Sequence, residues 1–465
     1  MEILASPWAL VGFVALISLG SLALSRGQAS VEGFFSGASL GHEPALLTLV
    51  LSQVTTWIFA RSLMNSAILG YFYGFAGTLA YTAYYLSFLT GGYIVARLRQ
   101  DNAGSVQEWL GARFGVTGHI TYNLVVGLRL LSEVFANLIV VGLIFSAAFP
   151  EVAVAKTVSI IALALIGLLY SARGGLLASL KTDVLQMVVF LGVFAVALGV
   201  MISSADFSFS AVFSAQGVHD QGARPGWVLV VVALLQVLSY PAHDPVMMDR
   251  GFIASPARTK QSFVWAFVLS VICIMGFGLF GIQAGLIGAE YENQILGTWQ
   301  GMFGSGVYFL LMASLLVSAV STLDSALASA ARLVVDEVGA LGRSVKNGRW
   351  VMVAFMLGGL LLTLFPNKTL FDAVAVTGTA SMFLTPVMAV SFMGYRLPLW
   401  SYLVAWAAAI VGAMAYMYRG VEFVSEIISG AHKYDQLLSI CIYVLAIGFA
   451  ACIIGAMQQG RSSRA

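Results

Sequence analysis

Thirteen apolar stretches follow one another along this chain with little between them. They run over about 7–25, 46–72, 76–97, 120–149, 154–171, 183–203, 227–243, 262–288, 303–334, 349–365, 370–394, 398–417 and 436–457. A run of roughly 20 apolar residues is what spans the hydrocarbon core of a bilayer. Composition agrees: 60% of the 465 residues are hydrophobic and 9% are charged, against about 25% charged in soluble domains. The chain therefore reads as an all-α polytopic membrane protein of about 13 transmembrane helices. A nucleic-acid binder, a disulfide scaffold and a disordered chain are excluded. Cys273, Cys441 and Cys452 lie far apart in apolar runs and read as packing residues.

The basic residues test the span count, because cytoplasmic flanks are enriched in Lys and Arg. Placing the N-terminus outside assigns Arg26, Arg97, Arg99, Arg113, Arg173, Lys181, Arg250, Arg258, Lys260, Arg332, Arg343, Lys346, Arg349, Arg396, Arg461 and Arg464 to the cytoplasmic side. Only Lys156, Arg224, Lys368, Arg419 and Lys433 fall outside. The first span has Glu2 before it and Arg26 after it, the wrong flanks for a cleaved signal. The expected location is the plasma (inner) membrane, with the C-terminus cytoplasmic.

Polar groups inside hydrocarbon are costly and mark functional positions. The second span carries Ser52, Gln53, Thr55, Thr56, Arg61 and Ser62 around Trp57. No Gly or Pro there signals a break, and its hydroxyls could simply bond back to the preceding turn. In the ninth span, Ser318, Ser321, Thr322, Asp324 and Ser325 fall within an arc of about 160° at 100° per residue. Hydroxyls, a carboxylate and freed carbonyls suit a hard cation such as Na⁺, whereas helix packing alone does not require Asp324. Thr182 and Asp183 follow the Gly174-Gly175 pair and could cap the sixth span. Pro241 predicts a kink after Tyr240, which reads as a core aromatic or as a lid. Arg129 and Glu133 are i,i+4 neighbours able to pair with each other.

Together these residues resemble the sodium/solute symporter family, whose members share the LeuT-type inverted-repeat fold. Gly174-Gly175 with Thr182-Asp183 and Gln186 is similar to the family's GG…TD..Q signature, and Ser321-Thr322-Leu323-Asp324-Ser325 to its ST.DS segment. Arg250 resembles the family's arginine after core helix six. The resemblance spans 7–457. It implies a 5+5 inverted repeat with one extra N-terminal and two extra C-terminal helices. Residues 1–26 would be the extra helix, 46–203 the first five-helix repeat and 227–394 the second. Residues 398–465 would hold the last two helices and a short cytoplasmic tail. It implies a sodium held by the Thr55 and Ile58 carbonyls, the Ser318 carbonyl and the Ser321 and Thr322 hydroxyls. Some sialic-acid-type members have a second sodium, whose ligands map to Asp183, Ser321, Asp324 and Ser325.

The resemblance places substrate near Trp57, Arg61, Ser62, Arg129, Glu133, Gln236, Tyr240 and the polar stretch Thr377, Thr379 and Ser381. Arg61 stands where sugar carriers have an acid, and Val237 where they have an asparagine. The expected activity is thus sodium-coupled import of a small solute, with a small anion such as a carboxylate or bicarbonate favoured by the two buried arginines. In the rival reading Arg61 pairs internally, with Glu133, and the solute is neutral or zwitterionic. Proton coupling through Asp183, Asp324 or Glu133 and a receptor role stay open. A membrane-embedded enzyme is disfavoured, since the chain has no HExxH and no GxS nucleophile with a partner His. The expected partners are Na⁺, a small solute and the bilayer, and the expected working unit is a monomer.

Overall fold

The computed structural model describes residues 6–25, 30–37, 43–364 and 370–459. Arg26, Lys368, Arg461 and Arg464 of the charge assignment lie outside the described residues. All regular structure within them is helical. The main helices are α1 (Trp8–Leu24), α2 (Leu46–Trp57), α3 (Ala60–Ala83), α4 (Ser87–Gln100), α5 (Val106–Ala148), α6 (Ala155–Ile202), α7 (Arg224–Gln236) and α8 (Pro245–Gly251). They continue with α9 (Pro256–Leu286), α10 (Ser305–Arg332), α11 (Val345–Leu362), α12 (Leu370–Ala380), α13 (Leu384–Phe392), α14 (Leu399–Met417) and α15 (Lys433–Gln459).

Eight helices among the described residues are by themselves long and apolar enough to cross a membrane. One of them, α6, is two spans. At Gly175 (φ 56°, ψ −141°) the chain folds back, which brings Tyr170 within hydrogen-bonding reach of Gln186. Gly74 (φ 59°, ψ −143°) does the same inside α3, so Leu69 and Gly77 pack against each other. The broken segment 46–73 and its return helix therefore add two spans. The shorter apolar helices α1 and α7 add two more, and the total reaches the expected thirteen. A third reversal, at Gly115 (φ 62°, ψ −155°), folds the start of α5 back beside the span that follows. All three glycines sit in a region that a side chain makes costly. At Gly74 and Gly175 the loops expected between spans are thus single-residue turns.

The outward faces carry Leu128, Leu165, Val188, Ile272 and Ile453, all exposed, as lipid-facing helices require. The polar groups point inward instead. Ion pairs gather the basic residues of one side at one end: Arg113 with Asp101, Arg332 with Asp249 and Glu337, and Arg343 with Glu32 and Asp336. Arg224–Asp435 and Arg419–Asp372 lie at the other. The three cysteines are buried and free. Inside the bundle, α2 is held between α6, α9 and α10, and α9 runs along α3.

An added Cβ at Gly74 would lie 2.0 Å from the Ala215 carbonyl oxygen, and at Gly175 2.3 Å from that of Phe34, but at Gly115 it meets nothing within 4 Å. Gly115→Ala should then cost only the backbone strain, about 1–3 kcal/mol. Gly74→Ala and Gly175→Ala should lose far more. Thermal unfolding of the purified variants in detergent checks this, and equal stability of all three would contradict it.

Candidate functional site

The centre of the bundle is built on two interrupted helices. α2 stops at Trp57; Ile58 (φ −86°, ψ 59°) and Phe59 (φ −78°, ψ 157°) leave the helical region, and α3 starts at Ala60. Nothing in the local sequence breaks this helix, so the partners do. The Tyr85 hydroxyl donates to the Trp57 carbonyl at 2.7 Å, and the Ser318 hydroxyl donates to the Ile58 carbonyl. The second interruption falls between α7 and α8 and follows from Pro241 and Pro245. The kink expected at Pro241 is a full interruption, and the regular helix of the seventh span already ends at Gln236. Asp244 caps α8, accepting from the Met247 amide at 3.0 Å.

The first break lies against the hydroxyl face of α10. Thr55 Oγ1 is 3.0 Å from Ser321 Oγ, and Thr322 donates to the Ser318 carbonyl at 2.9 Å. The structure thus brings together Thr55, Ile58, Ser318, Ser321 and Thr322, all buried. Of the α2 hydroxyls, Thr56 bonds back to the preceding turn, at Gln53 O, while Ser52 and Thr55 bond across to other helices. The last carbonyls of a helix have no partner within it. Those of α2, with two hydroxyls of α10, form an all-oxygen, uncharged lining suited to a hard cation.

A second cluster adjoins the first through Ser321, which donates to Asp183 Oδ1 at 3.0 Å. Thr182 and Asp183 do not cap a helix, because the helix starts seven residues earlier, after Gly175. Asp183 instead takes Ser52 and the Arg250 guanidinium, whose Nη2 lies 3.1 Å from Oδ2. Asp324 accepts from Ser179 at 3.0 Å, Thr182 at 2.9 Å and Ser325 at 3.2 Å. Sequence reasoning missed Ser52, Ser179 and Thr182 as members of this cluster. Their pairing across distant helices leaves no local pattern.

A small cavity lies above the break, lined by Trp57, Phe59, Ser62, Tyr81, Tyr84, Tyr85, Arg129, Tyr240 and Val374. Its volume is about 10 Å³, room for one water at most. The rings close it: Tyr240 packs edge-on against Trp57 at 5.6 Å and tilted against Tyr84 at 5.6 Å. Trp57, Ser62, Arg129 and Tyr240 were expected here. Phe59, Tyr81, Tyr84 and Tyr85 were not, because an aromatic run in an apolar span reads as ordinary core.

Other expected residues stand back from this wall. Gln236 accepts from Tyr84 at 2.9 Å and donates to Thr379 at 3.3 Å. Thr377 bonds to the Val374 carbonyl and Ser381 to that of Gly378. Glu133 pairs with Arg129 at 3.3 Å, as the i,i+4 reading had it, and Asp244 completes the pair at 2.9 Å from the same nitrogen. The reading that pairs Arg61 with Glu133 is not what the structure shows. Arg61 is fully buried, yet Nε, Nη1 and Nη2 have no hydrogen-bond partner among the described residues. Its guanidinium carbon sits 5.0 Å from the Phe59 ring centroid. Nε and Nη1 of Arg129 and Oε2 of Glu133 are likewise unpartnered among the described residues.

Comparison with known proteins separates sequence from fold. No family profile and no curated protein matches the sequence. Solved structures do match. A Na⁺-coupled sialic acid symporter in a substrate-bound outward-open state, described as revealing a novel Na⁺ site, aligns with a TM-score of 0.71 at 17% identity, covering 99% of this chain and 98% of that one. Mhp1, a nucleobase-cation-symport-1 family transporter in a closed conformation with bromovinylhydantoin bound, aligns at 0.59 and 15% identity over 92% and 98% of the two chains. Its inward-facing conformation aligns at 0.55 and 14% identity over 90% and 92%. The chain therefore has the LeuT-type fold of these transporters.

Asp244→Ala removes both the α8 cap and the shorter ion-pair contact of Arg129. The expected loss is about 3–5 kcal/mol from a broken buried pair, with about 1 kcal/mol more from the cap. Glu133→Gln, which leaves Asp244 in place, should cost clearly less. Denaturant titration in detergent ranks the two, and the reverse order would contradict the pairing.

Proposed function

We propose that this protein is a sodium-coupled symporter that imports a small solute across the plasma (inner) membrane by alternating access. The observation that carries the reading is the break at Ile58–Phe59 facing the hydroxyls of α10. Sodium is held by the Thr55, Ile58 and Ser318 carbonyls and the Ser321 and Thr322 hydroxyls, and so ties the broken helix to α10. With the helix tied, Trp57, Phe59 and Ser62 take their places in the cavity wall. Solute enters beside Arg129 under Tyr240, which closes over it. The coupling arises because ion and solute stabilise the same arrangement of the break, so each raises the other's affinity. An inside-negative potential adds about 2.3 kcal/mol per charge per 100 mV to sodium entry. The end of the bundle that holds Arg97, Arg99, Arg113 and Arg343 is taken as cytoplasmic. The N-terminus is then outside, and one chain suffices.

The favoured solute is a small anion, a carboxylate or bicarbonate. The formal charges of Arg61, Arg129, Glu133 and Asp244 cancel, so net charge does not decide the matter. Unspent hydrogen bonds do. Five guanidinium nitrogens of Arg61 and Arg129 are buried without a partner among the described residues, and a carboxylate meets such a group bidentately. One observation favours a zwitterion instead: Glu133 Oε2 also has no partner among the described residues, and an ammonium would satisfy it.

Thermal stabilisation by matched acids and amides in sodium buffer decides between them. A stronger effect of the acid is expected, and preference for the amide would overturn the anion reading. Ser321→Ala and Thr322→Ala should each abolish sodium stimulation of uptake in proteoliposomes, since each removes one of two hydroxyl ligands. Unchanged stimulation in both would overturn the site.

A further inference from the structure

At the end of the bundle taken as cytoplasmic, a groove between α4 and α9 opens toward lipid. It encloses about 550 Å³, within the about 300–1,000 Å³ of a single ligand site. Its wall is apolar and outward-facing: Leu89, Tyr93 and Val264 are each at least 40% exposed. From Leu89 to Arg99, α4 rises about 15 Å, the depth of one leaflet in a hydrocarbon core of about 30 Å.

The other end of the groove is cationic. Arg99 and Lys260 line it, and no Asp or Glu does. Lys260 is exposed. Arg99 turns into the protein: Nη2 donates to the carbonyls of Gly251 at 2.9 Å and Ala254 at 2.7 Å, while Nε is buried with no partner among the described residues. Glu43, whose charge reaches Arg99, is itself paired with Arg258 at 3.2 Å. Pro256 and Ala257 begin α9 at the same end. Ser255 before them makes no side-chain cap, and the first turn holds no acid. The amides of that turn have no partner within the helix, and with the helix dipole they favour an anion.

An apolar wall one leaflet deep, headed by two cations and an uncapped helix start, matches a phosphate joined to an acyl chain. We propose that this groove binds one anionic phospholipid of the cytoplasmic leaflet, with its phosphate at Arg99, Lys260 and the first turn of α9 and one chain along Leu89, Tyr93 and Val264. A choline headgroup would bring its own cation beside Lys260, so a zwitterionic lipid fits less well. Arg99 also holds the loop that leaves α8, and the bound phosphate therefore reinforces the cytoplasmic end of the second broken span.

The test is native mass spectrometry of the purified protein in detergent, titrated with phosphatidylglycerol or with phosphatidylcholine of the same chains. One phosphatidylglycerol per chain should be retained under activation that strips phosphatidylcholine. Lys260→Gln should weaken retention roughly fivefold, the effect of one basic residue at an anionic membrane surface. Lys346→Gln, outside the groove at the same end, should leave it unchanged. Ala96 is exposed and lines the groove, so Ala96→Trp should fill it and abolish retention. The Lys260 and Ala96 variants spare the carbonyl contacts of Arg99, and they decide even where Arg99→Gln fails to fold. Equal retention of both lipids, equal loss in Lys260→Gln and Lys346→Gln, or full retention in Ala96→Trp would overturn the site. A dimer without lipid would assign the groove to a second copy of the chain and overturn it too. None of these outcomes involves sodium or solute, so the symport reading stands or falls separately.

Discussion

A backbone carbonyl turned loose in the interior of a membrane protein must find a partner, because no water is there to serve. The break at Ile58–Phe59 creates that demand in the middle of the bundle. Tyr85 answers it at Trp57, and Ser318 answers it at Ile58. The rest of the centre is arranged around this answer. α10 must bring its hydroxyl face to the break, so its other oxygens fall in line beside Thr55. The aromatic residues after Gly74 return along α3, so that Tyr81, Tyr84 and Tyr85 wall the cavity. A helix that is interrupted only because its neighbours complete it can also be re-formed differently when an ion competes for those carbonyls. That is the physical basis for linking ion binding to a change of shape.

Two groups among the buried charges do different work; Asp249 and Asp372 are paired separately with Arg332 and Arg419. One group, Arg250 with Asp183 and Asp324, lies below the break and is fully bonded. It holds four helices together. The other, Arg61 and Arg129 with Glu133 and Asp244, lies beside the cavity and is incompletely bonded. Buried polar groups are satisfied in the great majority of cases. Satisfaction in the first group marks a structural lock, and on the proposed function the shortage in the second marks the surface that meets solute. Arg61 is set back from the cavity wall, with its guanidinium facing Phe59, which does line the cavity.

Much of this was legible in the residues. The spans follow from apolar runs, and the hydroxyl face of α10 from helical spacing. The i,i+4 pair Arg129–Glu133 needs nothing beyond its own helix. What escaped reading depends on contacts between distant segments. The break in the second span has no Gly or Pro, and its cause, Ser318, lies on another helix. Asp244 looks like a turn residue until Arg129 reaches it. Thr182-Asp183 looked like a helix cap because the turn at Gly175 was read as a longer loop. The polar stretch at Thr377, Thr379 and Ser381 was placed at the solute, yet its hydroxyls bond to neighbouring carbonyls and to Gln236, and Val374 meets the cavity instead.

The central claim is that sodium moving down its gradient pulls solute with it through this break. The most direct test is uptake of a labelled small carboxylate into vesicles containing only this protein, under an imposed inward sodium gradient. Accumulation above the external concentration, collapsing when the sodium gradient is dissipated, is the predicted result. Equilibration without accumulation, or identical uptake with potassium in place of sodium, would contradict it.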